Sequence, residues 1–289
     1  MGRELTPLLK SYLPLAEQEV YYRLYRHEAA PSRRLLLLHG GGVAGRLTWG
    51  GVLPYLMHWN EILVPDLRGT GKTRYPDHRD HGFEVEEVVG DMAALADHLG
   101  WEQFDLGGYS YGGLVAMLLK RELGERVGKT FLFEPALLGK MRRDELVASR
   151  DRLLQAARML KDAEQTEAGL EIFLDAVAPN RRRGGPGEAV MRERLSRRPA
   201  GLACAVECVS HASRRLDRDA LIAAQAHVSS FIGERSHPDV FAYCQRIAAE
   251  RADWRCHLIQ GADHALPFQK PEVIARLMNA DLIDYLGKR

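Results

Sequence analysis

The chain has 289 residues, of which 46% are apolar and 27% are charged, and its formal net charge is +1. This balance argues against a nucleic-acid partner, and no apolar run is long enough to cross a bilayer. The length suffices for one domain, or for one domain with a subdomain. We therefore expect no nucleic acid and no membrane as partners, and the composition leaves a small-molecule partner and a homodimer open.

The N-terminal segment lacks the apolar core of a secretory signal, so we expect a cytoplasmic protein with free thiols. The cysteines are Cys204, Cys208, Cys244 and Cys256. Cys204 and Cys208 lie four residues apart on a predicted helix, where His211 is the nearest further metal ligand. Such a pair is more often a pair of small buried side chains than a metal site, so we expect no metal.

Predicted strands and helices alternate along the chain. Two strands are expected within residues 14–26, which are rich in β-forming residues. Further strands are expected at 34–39, 61–65, 104–109, 129–134, 228–233 and 255–261. Apolar residues recur at helical spacing over 85–99, and a second helix is predicted over 272–286. This alternation predicts an α/β fold with a mostly parallel, eight-stranded sheet and helices on both faces.

The alternation is interrupted between residues 137 and 226, which contain helical patterns and no convincing strand. Helices are predicted over 142–164 and over 168–177. The run Arg181-Arg182-Arg183 is followed by glycines and proline, which predicts an exposed, solvated loop. Binding of an anionic substrate by these arginines is the alternative. The predicted organisation is a core formed by 1–136 and 227–289, with a helical subdomain at 137–226.

The residues Gly-Tyr-Ser-Tyr-Gly at 108–112 lie between a predicted strand and a helical stretch. In this setting G-x-S-x-G forms a sharp turn, which holds the central serine at the top of a sheet and at the start of a helix. A serine hydroxyl becomes a good nucleophile only beside a base, and that base needs an acid to orient it. Ser110 is therefore the candidate nucleophile.

Three other predicted strands also end in turns of distinctive composition. The first runs into His-Gly-Gly-Gly at 39–42, where backbone amides can approach a substrate oxygen closely. The second is followed by Asp-Leu-Arg-Gly-Thr-Gly at 66–71, and the third by a turn that carries His264. His264 is the best candidate base, because it follows a strand and precedes the final helix.

Taken together, these motifs resemble those of the α/β-hydrolase family, from about residue 20 to the C-terminus, with one large insertion. The resemblance implies that 137–226 form a helical lid over Ser110 and that His264 is the catalytic base. It also implies a backbone oxyanion hole, formed by Tyr111 and Gly41, with Gly42 as the next candidate.

Other residues near these motifs are expected to have structural roles. His39 is expected to brace the turn that it opens, and Asp66 and Arg68 to brace the loop after their strand. Tyr109 and Tyr111 flank the nucleophile, and we expect their side chains to pack beneath the turn.

The position of the catalytic acid departs from the commonest family pattern, in which an aspartate lies three residues past a glycine after the seventh strand. Ser236 occupies that position here. Some members place the acid after the sixth strand, where this chain has Glu134 followed by Pro135. A carboxylate at a buried strand end is costly without a partner, so we predict that Glu134 is the acid rather than Glu234 or Asp239. A salt bridge from Glu134 to an arginine of the lid is the alternative.

The resemblance implies a serine hydrolase that works without metal or organic cofactor. Because such a lid usually covers an apolar pocket, we expect a small or medium hydrophobic carboxylic ester or lactone as substrate. Amides, thioesters and carbon–carbon bonds remain open, as does a lyase, cyclase or ligand receptor that keeps the same three residues. The serine in the turn argues against the dehalogenases and epoxide hydrolases of the family, which use an aspartate there.

Overall fold

The computed structural model describes residues 5–28, 30–136 and 143–288, with side chains from residue 147 onward in the last range. Its centre is an eight-stranded sheet. The strands are β1 (Leu9–Pro14), β2 (Glu19–Arg26), β3 (Arg34–Leu38), β4 (Glu61–Pro65), β5 (Phe104–Tyr109), β6 (Val127–Phe133), β7 (Val228–Gly233) and β8 (Trp254–Ile259).

The strands follow the order β1-β2-β4-β3-β5-β6-β7-β8 across the sheet. The pairs β1–β2 and β2–β4 are antiparallel. All later neighbours, from β4–β3 to β7–β8, are parallel. The expected mostly parallel, eight-stranded sheet is therefore confirmed.

The first strand lies earlier in the chain than predicted. We expected two strands within 14–26, but β1 reaches only Pro14 of that range and pairs with β2 so that Leu9 lies opposite Leu24. Because β1 is an edge strand in which only Leu13 is buried, its sequence lacks the apolar alternation that marks a strand.

Helices cover both faces of the sheet. Successive residues of β3 alternate between two apolar clusters: Leu36 and Leu38 belong to one, and Leu35 and Leu37 to the other. All four leucines are fully buried, as expected for a central parallel strand. Helices α2 (Val85–His98), α3 (Tyr111–Leu123) and α9 (Pro238–Glu250) cover the first face, and α1 (Gly45–Trp49) and α11 (Pro271–Leu286) cover the second.

Between β6 and β7 the described residues form helices and no strand. These are α4 (Arg143–Leu160), α5 (Thr166–Val177), α6 (Pro186–Leu195), α7 (Pro199–Arg215) and α8 (Arg218–Ala223). The helices predicted over 142–164 and 168–177 correspond to α4 and α5. Apolar residues of α4 to α7 form a third cluster that includes Val43, from the loop after β3. The four helices therefore share one apolar cluster with that loop, and Leu195 of α6 and Leu202 of α7 lie closest to its glycines.

The cysteines agree with their prediction. All four are free thiols, and Cys204 and Cys208 are both buried on α7. Within residues 5–28, 30–136 and 143–288, no helix has the length and apolar character that crossing a membrane requires.

The prediction of a solvated arginine run at 181–183 is wrong for Arg181. Its guanidinium forms ion pairs of 2.7, 2.5 and 2.8 Å with Glu171, Asp175 and Glu188, and its side chain is only 6% exposed. Arg183, in contrast, is 60% exposed. The acidic partners lie on α5 and α6, so Arg181 links these two helices through carboxylates about six to ten residues away, an arrangement that a charge run does not reveal.

Candidate active site

Ser110 is the single residue between β5 and α3, and its backbone adopts the unusual angles φ 53° and ψ −115°. Hydrogen bonds fix this turn, because the Ser110 amide donates to Phe133 O at 3.0 Å and its carbonyl accepts from Ala136 N at 2.9 Å. Glycine is required at 112, where a Cβ atom would overlap the His39 carbonyl. The strand–turn–helix setting of the motif is therefore confirmed, with the strain that such turns store.

His264 lies in the turn between β8 and the short helix α10 (Leu266–Gln269). Its Nε2 is 3.1 Å from Ser110 Oγ, and its Nδ1 is 2.7 Å from Glu134 Oε2. Asp263 stabilises the turn by accepting hydrogen bonds from the Ala265 amide and from the Gln269 side chain. Three side chains from distant parts of the chain are thus hydrogen-bonded in series.

Glu134 directly follows β6 and is 7% exposed, with φ at 41°. Its Oε1 accepts hydrogen bonds from Gly233 N at 2.7 Å and from the Ser236 hydroxyl. Each carboxylate oxygen therefore has a partner, and the arginine salt bridge considered as an alternative is not formed with any described residue. Positive φ at a non-glycine residue is strained, and in the described ranges only four such residues occur, including Ser110 and Glu134.

The other candidate acids do not contact His264. Glu234 is exposed and accepts a hydrogen bond from Gly261 N at 2.8 Å. Asp239 is exposed and lies 3.8 Å from His237. Ser236, which the sequence indicated only as a missing acid, instead donates to Glu134. Ser236 lies three residues past the glycine that ends β7, and this spacing is the sequence feature from which the contact could have been predicted.

The predicted oxyanion-hole residues lie beside Ser110. Gly41 and Tyr111 line the same cavity as Ser110, and their amides have no hydrogen-bond acceptor within the described residues. The Tyr111 amide is free because it opens α3 and has no preceding turn to bind. Gly42, the next candidate, has φ at 77° and a Cβ atom there would meet Leu195 at 2.7 Å, so the turn requires glycine at this position.

The side chains of His39, Asp66 and Arg68 form hydrogen bonds that stabilise the loops after β3 and β4, as predicted. His39 Nδ1 donates to Gly40 O at 2.6 Å, and its Nε2 accepts from Leu67 N at 2.8 Å. Burial lowers the pKa of His39 below its usual value of 6.5, which keeps the ring neutral. Asp66 accepts from backbone amides at 2.9 and 3.0 Å, and Arg68 binds the buried Asp91.

Tyr109 and Tyr111 are both buried, at 7% and 3% exposure. The Tyr109 ring packs against His264 and Phe268, with ring centroids 5.2 and 6.3 Å away. Burial raises the pKa of both tyrosines well above 10. Neither hydroxyl therefore ionises near neutral pH, which agrees with the packing role expected for them.

Two cavities meet at Ser110, His264 and Gly41. The smaller has a volume of about 50 Å³, and its walls are apolar apart from Ser110, His264 and Tyr109. The larger has a volume of about 300 Å³ and extends beneath α4, α5 and α7. A small molecule that reaches Ser110 therefore lies between the sheet edge and these helices.

The model of the alpha/beta hydrolase family matches residues 35–277. A soluble epoxide hydrolase from Corynebacterium sp. (strain C12) is 29% identical over 113 residues, which are 39% of this chain and 38% of that protein. A 2-hydroxy-6-oxo-2,4-heptadienoate hydrolase from Pseudomonas putida is 31% identical over 108 residues, 37% of this chain and 38% of that protein. The matched segments thus span about 38% of the length of these two relatives.

The whole architecture is also found in solved structures. A hydrolase from Pseudomonas aeruginosa PA01 superposes with a TM-score of 0.74 at 21% identity, covering 96% of this chain and 98% of that one. The family match extends from β3 into α11 and so includes every element that contributes to the site. The chain belongs to the alpha/beta hydrolase family.

Proposed function

We propose that the protein is a serine hydrolase that cleaves a carboxylic ester or lactone through an acyl-enzyme. The observation that carries this proposal is the hydrogen-bonded series from Ser110 Oγ through His264 to Glu134. The series lies beside the Gly41 and Tyr111 amides, at the meeting point of two cavities. Nucleophile, base, acid and oxyanion donors are thus all available within one site.

In the proposed reaction, Ser110 Oγ attacks the substrate carbonyl carbon while His264 Nε2 takes the hydroxyl proton. Glu134 holds the proton on His264 Nδ1, which leaves Nε2 free to act as base, and it stabilises the imidazolium that forms. The amides of Gly41 and Tyr111 bind the oxyanion. His264 then protonates the leaving oxygen and activates the water that releases the acid.

Helices α4 to α7 act as a lid in this proposal, so that 137–226 form the lid and 1–136 with 227–289 form the core. Phe173 on α5 and Leu202 and Val206 on α7 line the larger cavity, which also borders Ser110. Apolar side chains form most of both cavity walls. This lining supports a small or medium hydrophobic substrate.

The relatives' names leave the scissile bond open, since one is named for hydrolysis of 2-hydroxy-6-oxo-2,4-heptadienoate and another for epoxides. We choose an ester or lactone as the substrate class to test first, because the mostly apolar walls of both cavities suit such a substrate. Carbon–carbon, amide and thioester bonds are the alternatives that a substrate panel tests.

The experiment combines p-nitrophenyl acetate, p-nitrophenyl butyrate and a lactone panel with fluorophosphonate labelling of Ser110. We expect the wild-type protein to turn over at least one substrate and to be labelled. Ser110→Ala should lose labelling and about a millionfold in turnover while keeping its circular dichroism spectrum. Undiminished hydrolysis in this variant overturns the mechanism, and labelling without turnover of any ester or lactone favours the non-hydrolytic alternative.

A further inference from the structure

The two cavities at Ser110 differ in their polar side chains. In the smaller, the polar side chains are the Ser110 hydroxyl, the His264 ring and Tyr109, and none is an arginine, a lysine or a carboxylate. The larger is lined by Arg150, by His237 and by several serines in addition to the Ser110–His264–Glu134 series. A substrate that fills both cavities therefore places one part in apolar surroundings and the other beside a cation.

Arg150 has no partner among the described residues. It lies on α4, is half-buried, and its Nε is inaccessible to solvent without any hydrogen-bond acceptor. The acidic side chain described in the same wall, Glu134, is already bound to His264, Gly233 and Ser236. Since a guanidinium stays charged at all ordinary pH values, leaving its buried Nε–H without an acceptor is costly.

Most of the other polar groups of the larger cavity are occupied. Ser210 Oγ donates to Val206 O at 2.8 Å, and Ser213 Oγ donates to Ser210 O at 2.8 Å. His237 Nδ1 accepts a hydrogen bond from the backbone, which puts the proton of the neutral ring on Nε2. Arg150 and His237 thus offer hydrogen-bond donors to the larger cavity, and the part of a substrate that fits them carries acceptors.

We propose that Arg150 is a specificity-determining residue that binds a carboxylate on the larger part of the substrate. This inference rests on the proposed function and narrows its substrate class to esters or lactones of which one side is small and apolar and the other bears a carboxylate. A carboxylate is the favoured acceptor because its two oxygens match the fork of a guanidinium and neutralise its charge.

The experiment uses two pairs of esters in which a carboxylate is replaced by a carboxamide of the same shape. In 3-acetoxybenzoate and 3-acetoxybenzamide the group lies on the leaving side. In the 4-nitrophenyl monoesters of glutaric acid and glutaramic acid it lies on the acyl side. We expect wild-type protein to prefer the carboxylate member of one pair, mainly through KM.

In that pair, Arg150→Gln should lower kcat/KM for the carboxylate substrate by about 10- to 100-fold. It should change kcat/KM for the carboxamide substrate by less than about threefold. Arg150→Lys should retain part of the preference, because it keeps the charge but loses the fork. Arg183→Gln is the matched control. Arg183 also lies between β6 and β7, in the loop between α5 and α6, but it is exposed and already paired with Asp175. This variant should leave both substrates unchanged.

A second readout separates this inference from the proposed function. Binding of both 3-acetoxy compounds and both glutaryl esters to Ser110→Ala is measured by calorimetry, with and without Arg150→Gln. If the wild-type protein hydrolyses none of the esters, but carboxylate binding to Ser110→Ala depends on Arg150, the proposed function fails and this inference is supported. Esterase activity without a carboxylate preference in either pair, or equal losses for carboxylate and amide in Arg150→Gln, overturns the inference and leaves the function standing.

Discussion

Glu134 follows β6, yet its carboxylate lies between His264 and the loop after β7. Two groups of that loop, the Gly233 amide and the Ser236 hydroxyl, bind Oε1 and leave Oε2 for His264. Ser236 occupies the position where the family often carries its acid. The site therefore uses the loop after β7 to hold a carboxylate that comes from the neighbouring strand.

Replacing Glu134 by Gln tests its role as the acid. The substitution keeps the shape of the side chain but removes the negative charge that selects the His264 tautomer, so we expect turnover to fall about ten-thousandfold. Glu234→Gln and Asp239→Asn are the controls and should cost little, since neither side chain contacts His264. Ester turnover is measured for all three variants, with folding checked by circular dichroism. If Glu134→Gln loses little turnover while either control loses most of it, Glu134 is not the catalytic acid.

A double variant tests whether an aspartate at position 236 can replace Glu134 as the catalytic acid. Because the Ser236 hydroxyl lies within hydrogen-bond distance of Glu134 Oε1, an aspartate at 236 places a carboxylate close to the lost one. We expect Glu134→Gln/Ser236→Asp to recover about tenfold or more of the turnover lost in Glu134→Gln, a small share of a triad member's contribution. Ser236→Ala in the same background should recover nothing. Equal activity of the two double variants would refute the rescue.

The pH dependence of turnover tests His264 as the base. Only the neutral imidazole accepts a proton, so kcat/KM, measured between about pH 8 and 5, should fall as the pH is lowered. Burial lowers the pKa of His39 below its usual value, so this buried histidine takes up a proton only at a lower pH than an ordinary histidine does. A flat profile, or full activity in His264→Ala, speaks against this role.

At the scale of elements, the site is formed where β3, β5, β6 and β8 end. The parallel strands place their carboxyl ends at one edge, so the turns after them bring Gly41, Ser110, Glu134 and His264 together. This juxtaposition was predictable from the sequence, because each motif directly follows a short apolar run. The contacts of α4 to α7 were not predictable, because they join side chains that no local pattern links.

Arg181 provides a test of how α5 and α6 are held together. Arg181→Met keeps the apolar stem but leaves Glu171, Asp175 and Glu188 without their shared cation. Because the acidic partners are partly exposed, we expect a loss of about 1–3 kcal/mol, below that of a fully buried pair. Urea unfolding measures the change. Arg182→Met, at an exposed neighbouring position, should stay within about 0.5 kcal/mol; equal effects of the two would show that Arg181 has no special role.

At the scale of the whole molecule, the sheet and its two helical layers followed from the alternation of strands and helices. The edge strand β1 did not, because it buries little apolar surface. The two cavities were also beyond prediction, since their walls combine the turns after the strands with helices from the separate segment 143–215. Volume between distant segments depends on side-chain packing, which a periodic pattern in one segment does not contain.

Lys129 lies inside β6 with 4% of its surface exposed, and its ammonium lies 5.6 Å from the centre of the Phe131 ring. Burial lowers the pKa of Lys129 from 10.5 to about 8. The unfolded chain therefore binds this proton more tightly than the folded protein does. Stability attributable to Lys129 is lost as the pH falls from about 10.5 to about 8, and the full penalty is present at pH 7.

Lys129→Met should remove this penalty, because it keeps a long unbranched side chain against Phe131 without a charge. We expect the free energy of unfolding at pH 7 to rise by about 1–3 kcal/mol and the gain to shrink as the pH approaches about 10. Urea unfolding at both pH values measures this, and Lys10→Met, at an exposed position of β1, should change stability by less than about 0.5 kcal/mol at either pH. If the free energy of unfolding rises equally at both pH values, the effect comes from apolar packing. If it falls at pH 7, the buried ammonium of Lys129 stabilises the sheet.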